Sequence, residues 1–421
     1  MKVIWVINNM LPEMSAYISG SVYDRVSSSN SWTTALLEAT NGMIELTVVM
    51  FYKGSQLIEH SFDGIRCFAV PRKKSPFVYD KSLNKYLEEI RDKIKPDVVH
   101  IHGTEYPHSY NSVCVFGPER TVISIQGLIS VIARYYESTL SFKEILFNLT
   151  LRNIVFGDSV WGQKKAFLYR GGFEIKTLIK AQHVIGRTLW DEVHSTTINP
   201  NVKYHHLDEL LRKEFFKAPK WSYDNCKKHT IFISQSNYPI KGLHLVIKAL
   251  GIVKRKYPDV KLKIAGKPFL KHQTLIEKLS YSGYAKYLNS LISRLGLDGN
   301  IEFTGILDAN GMIQEYLNAN VYVCPSSIEN SPNSMCEAQL LGVPCILSDV
   351  GGVYDMTNNG KSAILYRFEE FEMLAYHINN SFDMHRINYD KIDIGIHLAK
   401  IRHDNSRIVS NLTNIYQDIL R

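Results

Sequence analysis

Residues 303–355 read FTGILDANGMIQEYLNANVYVCPSSIENSPNSMCEAQLLGVPCILSDVGGVYD, and this stretch decides the fold. The apolar run VYVC at 321–324 predicts a buried strand, and the polar PSSIENSP after it predicts a loop. That loop opens a helix expected over 334–341, which stops at Gly342 and Pro344 before a second apolar run, CILS at 345–348. Strand, helix and strand in this order make a parallel βαβ unit. Ligands of open parallel sheets sit beyond the carboxyl ends of the strands, beside helix amino termini. A diphosphate placed there meets backbone amides and the positive end of the helix dipole, and Asn333 or Ser334 is expected to cap the helix start.

Two carboxylates flank the loop. Glu329 lies before the helix and Glu337 in its first turns, eight positions on, so both can face one crevice. A carboxylate accepts paired sugar hydroxyls well, which suits Glu337 to a ribose and Glu329 to a hexose. Two glutamates at that spacing are, taken alone, also what chance supplies.

Outward from this unit the same alternation continues. In the second half strands are expected at 229–234, 260–265 and 301–304, with helices at 242–254, 275–294 and 312–318. In the first half strands are expected at 3–7, 44–51, 65–70, 97–101 and 121–125, with helices at 32–40 and 82–94. Several of these strands are apolar throughout, the mark of a parallel sheet covered on both faces. The irregular stretch 199–228, with Pro200 and Pro219, separates two doubly wound α/β domains, an N-terminal one over 1–205 and a C-terminal one over 206–405. A chain of 421 residues accommodates two such cores.

Between residues 138 and 180 apolar side chains such as Phe142, Leu146, Ile154 and Phe156 mix with lysines and arginines. From Arg134 to Arg187 there are nine Lys or Arg and four Asp or Glu. Two readings stand: amphipathic helices packed on the sheet, or a surface that meets a membrane or a lipid-linked acceptor. The net charge of +8 likewise fits either a solvated basic surface or attraction to an anionic membrane face. Zinc-finger, RNP and basic-zipper patterns are missing from the sequence, which argues against nucleic acid as a partner.

The six cysteines (67, 114, 226, 324, 336 and 345) form no CxxC pair and no zinc-ligand spacing, so reduced thiols and a cytosolic setting are expected, with no structural metal. The start, MKVIWVINNM, is expected to be a first strand and not a secretory leader. Its apolar runs are too short to span a bilayer, so a soluble or peripheral protein is expected, on the inner face of the plasma membrane if peripheral.

The joint pattern resembles the retaining glycosyltransferases of family 4, the glycosyl transferases group 1. Their E-x7-E signature followed by A, G-x-P and a G-G turn is matched by Glu329, Glu337, Ala338, Gly342, Pro344, Gly351 and Gly352, and the preceding elements by Phe303, Gly305, Pro325 and Ser326. A second match is SQSNYPIKGLHLVIKAL at 234–250, where Lys241 corresponds to a lysine that grips the donor diphosphate. The usual arginine five positions earlier is Ser236 here, so Arg187 or another residue is expected to compensate. PDVVHIHGTEYP at 96–107 is similar to a strand and loop of the first domain, supplying His100, His102 and Glu105. A histidine often found near the donor sugar is replaced by Gln126, and a glycine pair by Asn30 and Ser31. HVIGRTLWDEV at 183–193 makes Arg187, Thr188 and Asp191 interdomain candidates.

The resemblance implies a GT-B fold, two Rossmann-like domains facing across a cleft, with a last helix at about 406–421 returning to the first domain through Ile408, Leu412, Ile415, Tyr416 and Ile419. It implies transfer of a sugar from a nucleotide-diphosphate donor, commonly a UDP-sugar, to a saccharide or lipid-linked acceptor in capsule, exopolysaccharide or lipopolysaccharide assembly. Glu329 and Lys241 would act at the reacting sugar and its leaving group. Glu337, Asn330, Ser331, Asn333, Ser334, Ser236, Gly305, Ile306 and Arg187 would bind donor, and Gln126, His102 and Glu105 would lie on the acceptor or sugar side. The sequence contains no D-x-D pair, and Lys241 with helix amides can carry the leaving diphosphate, so no metal is expected. Two alternatives share these features: a sugar-nucleotide epimerase of the same architecture, and a non-catalytic sugar-nucleotide-binding subunit of a polysaccharide assembly complex.

Overall fold

The computed structural model describes residues 1–21, 32–40, 42–270 and 281–421. The expectation at Asn30 and Ser31 lies outside them, as does the first part of the helix expected at 275–294, which is described as Gly283–Arg294. Contacts divide the chain into one unit of residues 1–133, 166–210 and 403–421, and another of 134–165 and 211–402. This departs from the boundaries expected at 205 and 405 chiefly in assigning residues 134–165 to the second unit.

The first unit is built on β1 (Lys2–Ile7), β2 (Glu45–Lys53), β3 (Ile58–Phe62), β4 (Ile65–Arg72), β5 (Val98–His102), β6 (Thr121–Ser124), β7 (His183–Gly186) and β8 (Lys203–His206). Among the described residues their order is β3-β4-β2-β1-β5-β6-β7-β8. All neighbours run parallel except β3 and β4, an antiparallel pair joined through Asp63 and Gly64. Five strands stand where the apolar runs placed them. The others, β3, β7 and β8, carry polar or histidine-rich sequence (IEHSF, HVIG, KYHH) and lack that signal.

Each face of this sheet is buried, and helix Asn405–Ile419 covers one of them. Ile408, Leu412, Ile415, Tyr416 and Ile419 lie in one core cluster with Val3, Trp5 and Val48. The Trp5 indole donates to Tyr416 Oη at 2.8 Å, and Tyr416 Oη lies 2.7 Å from His100 Nδ1. Burial lowers the His100 pKa and favours the neutral imidazole, which joins Tyr416 Oη through Nδ1 and Ser124 Oγ through Nε2 at 2.6 Å, one ring nitrogen donating and the other accepting.

The second unit holds β9 (Thr230–Ile233), β10 (Lys261–Ile264), β11 (Ile301–Phe303), β12 (Val321–Cys324), β13 (Cys345–Ser348) and β14 (Ile364–Tyr366), all parallel. Their order among the described residues is β11-β10-β9-β12-β13-β14. The order reverses between β9 and β12, so a crevice opens above their carboxyl ends. The strand β14 is only three residues long, too short to stand out in the sequence.

Residues 134–165 attach to this second unit through polar side chains. His244 Nε2, on helix Leu243–Val253, donates to the Ser138 carbonyl at 2.6 Å. Tyr287 Oη donates to Glu144 Oε1 at 2.7 Å, and the Gly283 amide donates to Asn153 Oδ1 at 2.9 Å. These partners lie more than 100 residues away in sequence, so no local pattern could assign the segment.

Candidate functional site

The crevice between β9 and β12 contains a cavity of about 390 Å³, the size of a small-molecule site. Its walls include Ser234 and Gln235 after β9, Lys241, Pro325, Ser326 and Glu329 of the loop after β12, and Asn333, Ser334 and Glu337 of helix Asn333–Leu341.

Backbone geometry brings these loops together. Gly242 has φ +70°, and a Cβ there would stand 2.0 Å from the Pro325 carbonyl oxygen. Gly351 has φ +55°, and a Cβ there would stand 1.9 Å from the Glu329 carbonyl oxygen. Both positions therefore exclude any side chain, for conformational and steric reasons together. The Ser327 amide donates to the Ile240 carbonyl at 2.8 Å and the Gly352 amide to the Glu329 carbonyl at 3.1 Å. The K-G and G-G elements of the sequence thus clamp the loop carrying Glu329 from two sides.

Lys241 Nζ lies 2.5 Å from Glu329 Oε1, and Ser326 Oγ donates to the same oxygen at 2.7 Å. Burial alone would lower the Lys241 pKa, but the charge and hydrogen bond of Glu329 reverse that and leave it raised. The ammonium is therefore held protonated at the cavity wall.

Glu337 is buried and accepts from Arg212 through Nε at 3.0 Å and Nη2 at 2.7 Å, both to Oε1. Tyr316 Oη lies 3.4 Å from its other oxygen. Burial raises the Glu337 pKa, and Arg212 only partly opposes it. Arg212 was not anticipated: it comes from the irregular stretch 199–228, and nothing in its neighbourhood marks it as a site residue.

The expected cap of helix Asn333–Leu341 is corrected. Pro332 occupies the N-cap position, and no side chain caps the helix. Ser334 Oγ instead accepts from Tyr322 Oη at 2.8 Å. The helix start thus faces the cavity without a capping side chain, and its dipole is unopposed by one. Asn330 is buried and Ser331 half-buried on the same loop. Ser236, where the resemblance expects an arginine, is 1% exposed and its Oγ has no hydrogen-bond partner. Gly305 has φ +78°, and its carbonyl accepts from the Gly266 amide at 2.9 Å. Ile306 beside it is exposed.

The remaining candidates belong to the first unit. Glu105 sits at that sheet's own switch point, between β1 and β5, and accepts from Asn8 Nδ2 at 3.1 Å. Burial, aided by Glu174, pushes its carboxyl up to about 7, against the pull of Arg187 and Asn8. Arg187 pairs with Glu209 and donates to Gln126 Oε1 at 3.0 Å. His102 is buried, and burial with the nearby Arg187 charge pushes it down to about 3. Thr188 and Asp191, expected as interdomain candidates, form the capping box of helix Leu189–Ile198 within this unit.

All six cysteines are free, and only Cys114 is exposed. Among the described residues no group of three His, Cys, Asp or Glu side chains converges to hold a metal ion, and no helix is long and apolar enough to cross a membrane.

Several known proteins similar to this chain are described as glycosyltransferases. Residues 216–387 match the family described as glycosyl transferases group 1. The capsular polysaccharide biosynthesis glycosyltransferase CapM of Staphylococcus aureus is 30% identical over 135 residues, 32% of each chain. The chain spans less than two thirds of the length of the curated relatives it matches. Among solved structures, sucrose-phosphate synthase from Thermosynechococcus elongatus superposes with a TM-score of 0.68 at 14% identity, covering 99% of this chain and 98% of that one. Anabaena Alr3699/HepE in complex with UDP-glucose gives 0.65 at 14% identity, covering 99% and 100%. The fold is GT-B, with two α/β units dominated by parallel strands.

Proposed function

We propose that this chain is a retaining glycosyltransferase that moves a sugar from a nucleoside-diphosphate donor, a UDP-sugar, to a saccharide or lipid-linked saccharide acceptor in surface-polysaccharide assembly. The observation that carries the reading is the cavity between β9 and β12, which holds a cation, two carboxylates and an uncapped helix start on one wall.

In this reading the diphosphate lies against the start of helix Asn333–Leu341 and competes with Glu329 for the Lys241 ammonium. Glu329 is then released to accept a hydroxyl of the donor sugar. Glu337, oriented by Arg212, accepts ribose hydroxyls through its second oxygen. Lys241 and the helix amides stabilise the charge that develops on the leaving diphosphate, with no metal required. The donor phosphate itself takes the acceptor's proton, and the sugar is delivered to the face the diphosphate leaves. Gln126, His102 and Glu105 serve the acceptor or sugar side. The similarity of residues 216–387 to group 1 transferases and of the whole fold to a UDP-glucose-bound structure supports the donor class. On this reading the enzyme sits at the cytoplasmic face of a membrane, where it would meet a lipid-linked acceptor.

The test is release of nucleoside diphosphate from UDP-sugars with and without a lipid-linked saccharide acceptor. Acceptor-dependent release with retained anomeric configuration is expected. Binding of UDP without any release under either condition would overturn the transferase reading in favour of a non-catalytic subunit.

A further inference from the structure

Residues 141–157 form two short helices, Phe142–Phe147 and Leu151–Phe156, each started by a complete capping box and the second ended by left-handed Gly157. Six-residue helices are unstable alone, so what holds them decides what they are for. Here the usual arrangement is inverted. The side chains that hold the pair on the second unit are largely polar: Glu144 on Tyr287, Asn153 on the Gly283 amide, and Thr150 Oγ1 on the Tyr281 carbonyl at 2.9 Å. The outward side chains are apolar: Phe142, Phe147, Leu151, Ile154, Val155 and Phe156 are each between 65% and 75% exposed. Exposed apolar patches of this kind mark interaction sites, because water gains nothing from them.

We propose that this helical pair seats in the surface of an anionic lipid bilayer, carrying the second unit with it. The proposal rests on the membrane placement given above and names the element responsible. Chemistry on the face argues for lipid over a protein partner. Its exposed apolar residues are aliphatic or Phe, and the Trp161 ring packs on Phe142 with centroids 5.1 Å apart, an aromatic of the kind that settles at the level of lipid headgroups. Beside them stand two exposed lysines, Lys143 and Lys286, the latter donating to the Phe147 carbonyl at 3.1 Å. Lysine is depleted at protein interfaces and favoured against anionic headgroups. The acidic residues of the segment are turned to internal partners: Glu144 to Tyr287, Asp158 to Arg152 and Glu137 to Lys164. Among the described residues, the acidic side chains of this segment are therefore neutralised or hydrogen-bonded within the fold.

The experiment is co-sedimentation of the full chain with vesicles of phosphatidylcholine alone or mixed with phosphatidylglycerol, at low and moderate salt. The wild type is expected to sediment with the anionic vesicles and to keep part of its binding when salt is raised. The variant Phe147→Ser/Ile154→Ser/Phe156→Ser should lower vesicle affinity by about tenfold or more, since burial of each apolar side chain is lost. Lys143→Ala/Lys286→Ala should reduce the preference for anionic over neutral vesicles and leave the salt-resistant part. Thermal unfolding and UDP calorimetry on each variant establish that the second unit is intact. Negligible vesicle binding by a wild type that binds UDP normally overturns this proposal and leaves the transferase reading standing. Sedimentation velocity without lipid covers the other occupant: self-association that the serine variant abolishes, with no vesicle binding, makes the face a contact between copies and also overturns it. Vesicle binding without any UDP binding would sink the donor-site reading instead.

Discussion

Lys241 Nζ and Glu329 Oε1 stand 2.5 Å apart, tying the loop after β9 to the loop after β12 across 88 residues of sequence. Each is the other's counter-charge. An incoming diphosphate has to take the ammonium from the carboxylate, which couples phosphate binding to the freeing of a sugar-binding group. Lys241→Met should therefore reduce kcat/KM by roughly tenfold to a hundredfold, the effect of losing a charged hydrogen bond worth about 1.5–3 kcal/mol. Steady-state kinetics with a UDP-sugar check this, and an unchanged kcat/KM would remove Lys241 from the leaving-group role.

Glu337 and Arg212 make separable predictions. Glu337→Ala should weaken nucleotide binding by about 1.5–3 kcal/mol, through the lost ribose contact. Arg212→Met leaves Glu337 buried without its partner and should cost about 3–5 kcal/mol of stability. Adding Glu337→Gln to Arg212→Met should recover much of that stability without restoring nucleotide affinity. Urea unfolding and calorimetry on the same three proteins decide the matter. Full nucleotide affinity in Glu337→Ala would refute the assignment.

Acid should loosen the attachment of residues 134–165. His244 is fully buried between the Ser138 carbonyl and Tyr284 Oη, and burial pushes its pKa down to about 4, against the opposing pull of that carbonyl. The unfolded chain, with an ordinary histidine, binds the proton first. Stability from this group is therefore complete above pH 6.5 and is lost as pH falls from there towards 4. Its size is at most about 3 kcal/mol at 1.36 kcal/mol per pKa unit. Unfolding free energies measured between pH 7 and 4 should slope less in His244→Gln than in the wild type. Equal slopes would show that another group controls the acid limb.

Tyr416 anchors the returning helix with one hydroxyl shared between Trp5 and His100. Tyr416→Phe keeps the ring but leaves the buried indole N–H without an acceptor, a loss of about 1–3 kcal/mol. Denaturant titration reads this directly, and a change below a few tenths of a kcal/mol would mean that water or a shifted neighbour replaces the hydroxyl.

Activity should withstand EDTA. Lys241 and the start of helix Asn333–Leu341 already supply positive potential for a leaving diphosphate, and the sequence has no D-x-D pair. Loss of turnover with EDTA and its return with Mn²⁺ would show that the leaving group depends on an ion.

Much of the second unit was legible in its sequence because its signals are local. Apolar runs such as VYVC at 321–324 and CILS at 345–348 are short and bounded by turn residues, which favours buried strands. Glu329, Glu337 and Gly351-Gly352 sit at fixed offsets from those strands, so the backbone of one βαβ unit already brings them near one crevice, while Lys241-Gly242 sits at its own short offset after β9. Strands with weaker signals were missed for the matching reason: KYHH at 203–206 pairs with β7 at the sheet edge and needs little apolar side chain to do so.

The sequence by itself determined the two parallel α/β halves, the returning apolar stripe from Ile408 to Ile419, and which loop carries the candidate carboxylates. Periodicity and turn chemistry act over a few residues, and these features are written at that range. Only the tertiary structure decided what each charge is paired with. Arg212 reaches Glu337 from 125 positions away, and Lys241 reaches Glu329 from 88. It also decided which way residues 141–157 face. Their amphipathic pattern is symmetric between an inward and an outward apolar side, and the choice fell to polar partners at Tyr281, Gly283 and Tyr287, between 130 and 143 residues along the chain. A side chain's partner is a property of the fold, because chain connectivity places no limit on which distant group arrives beside it.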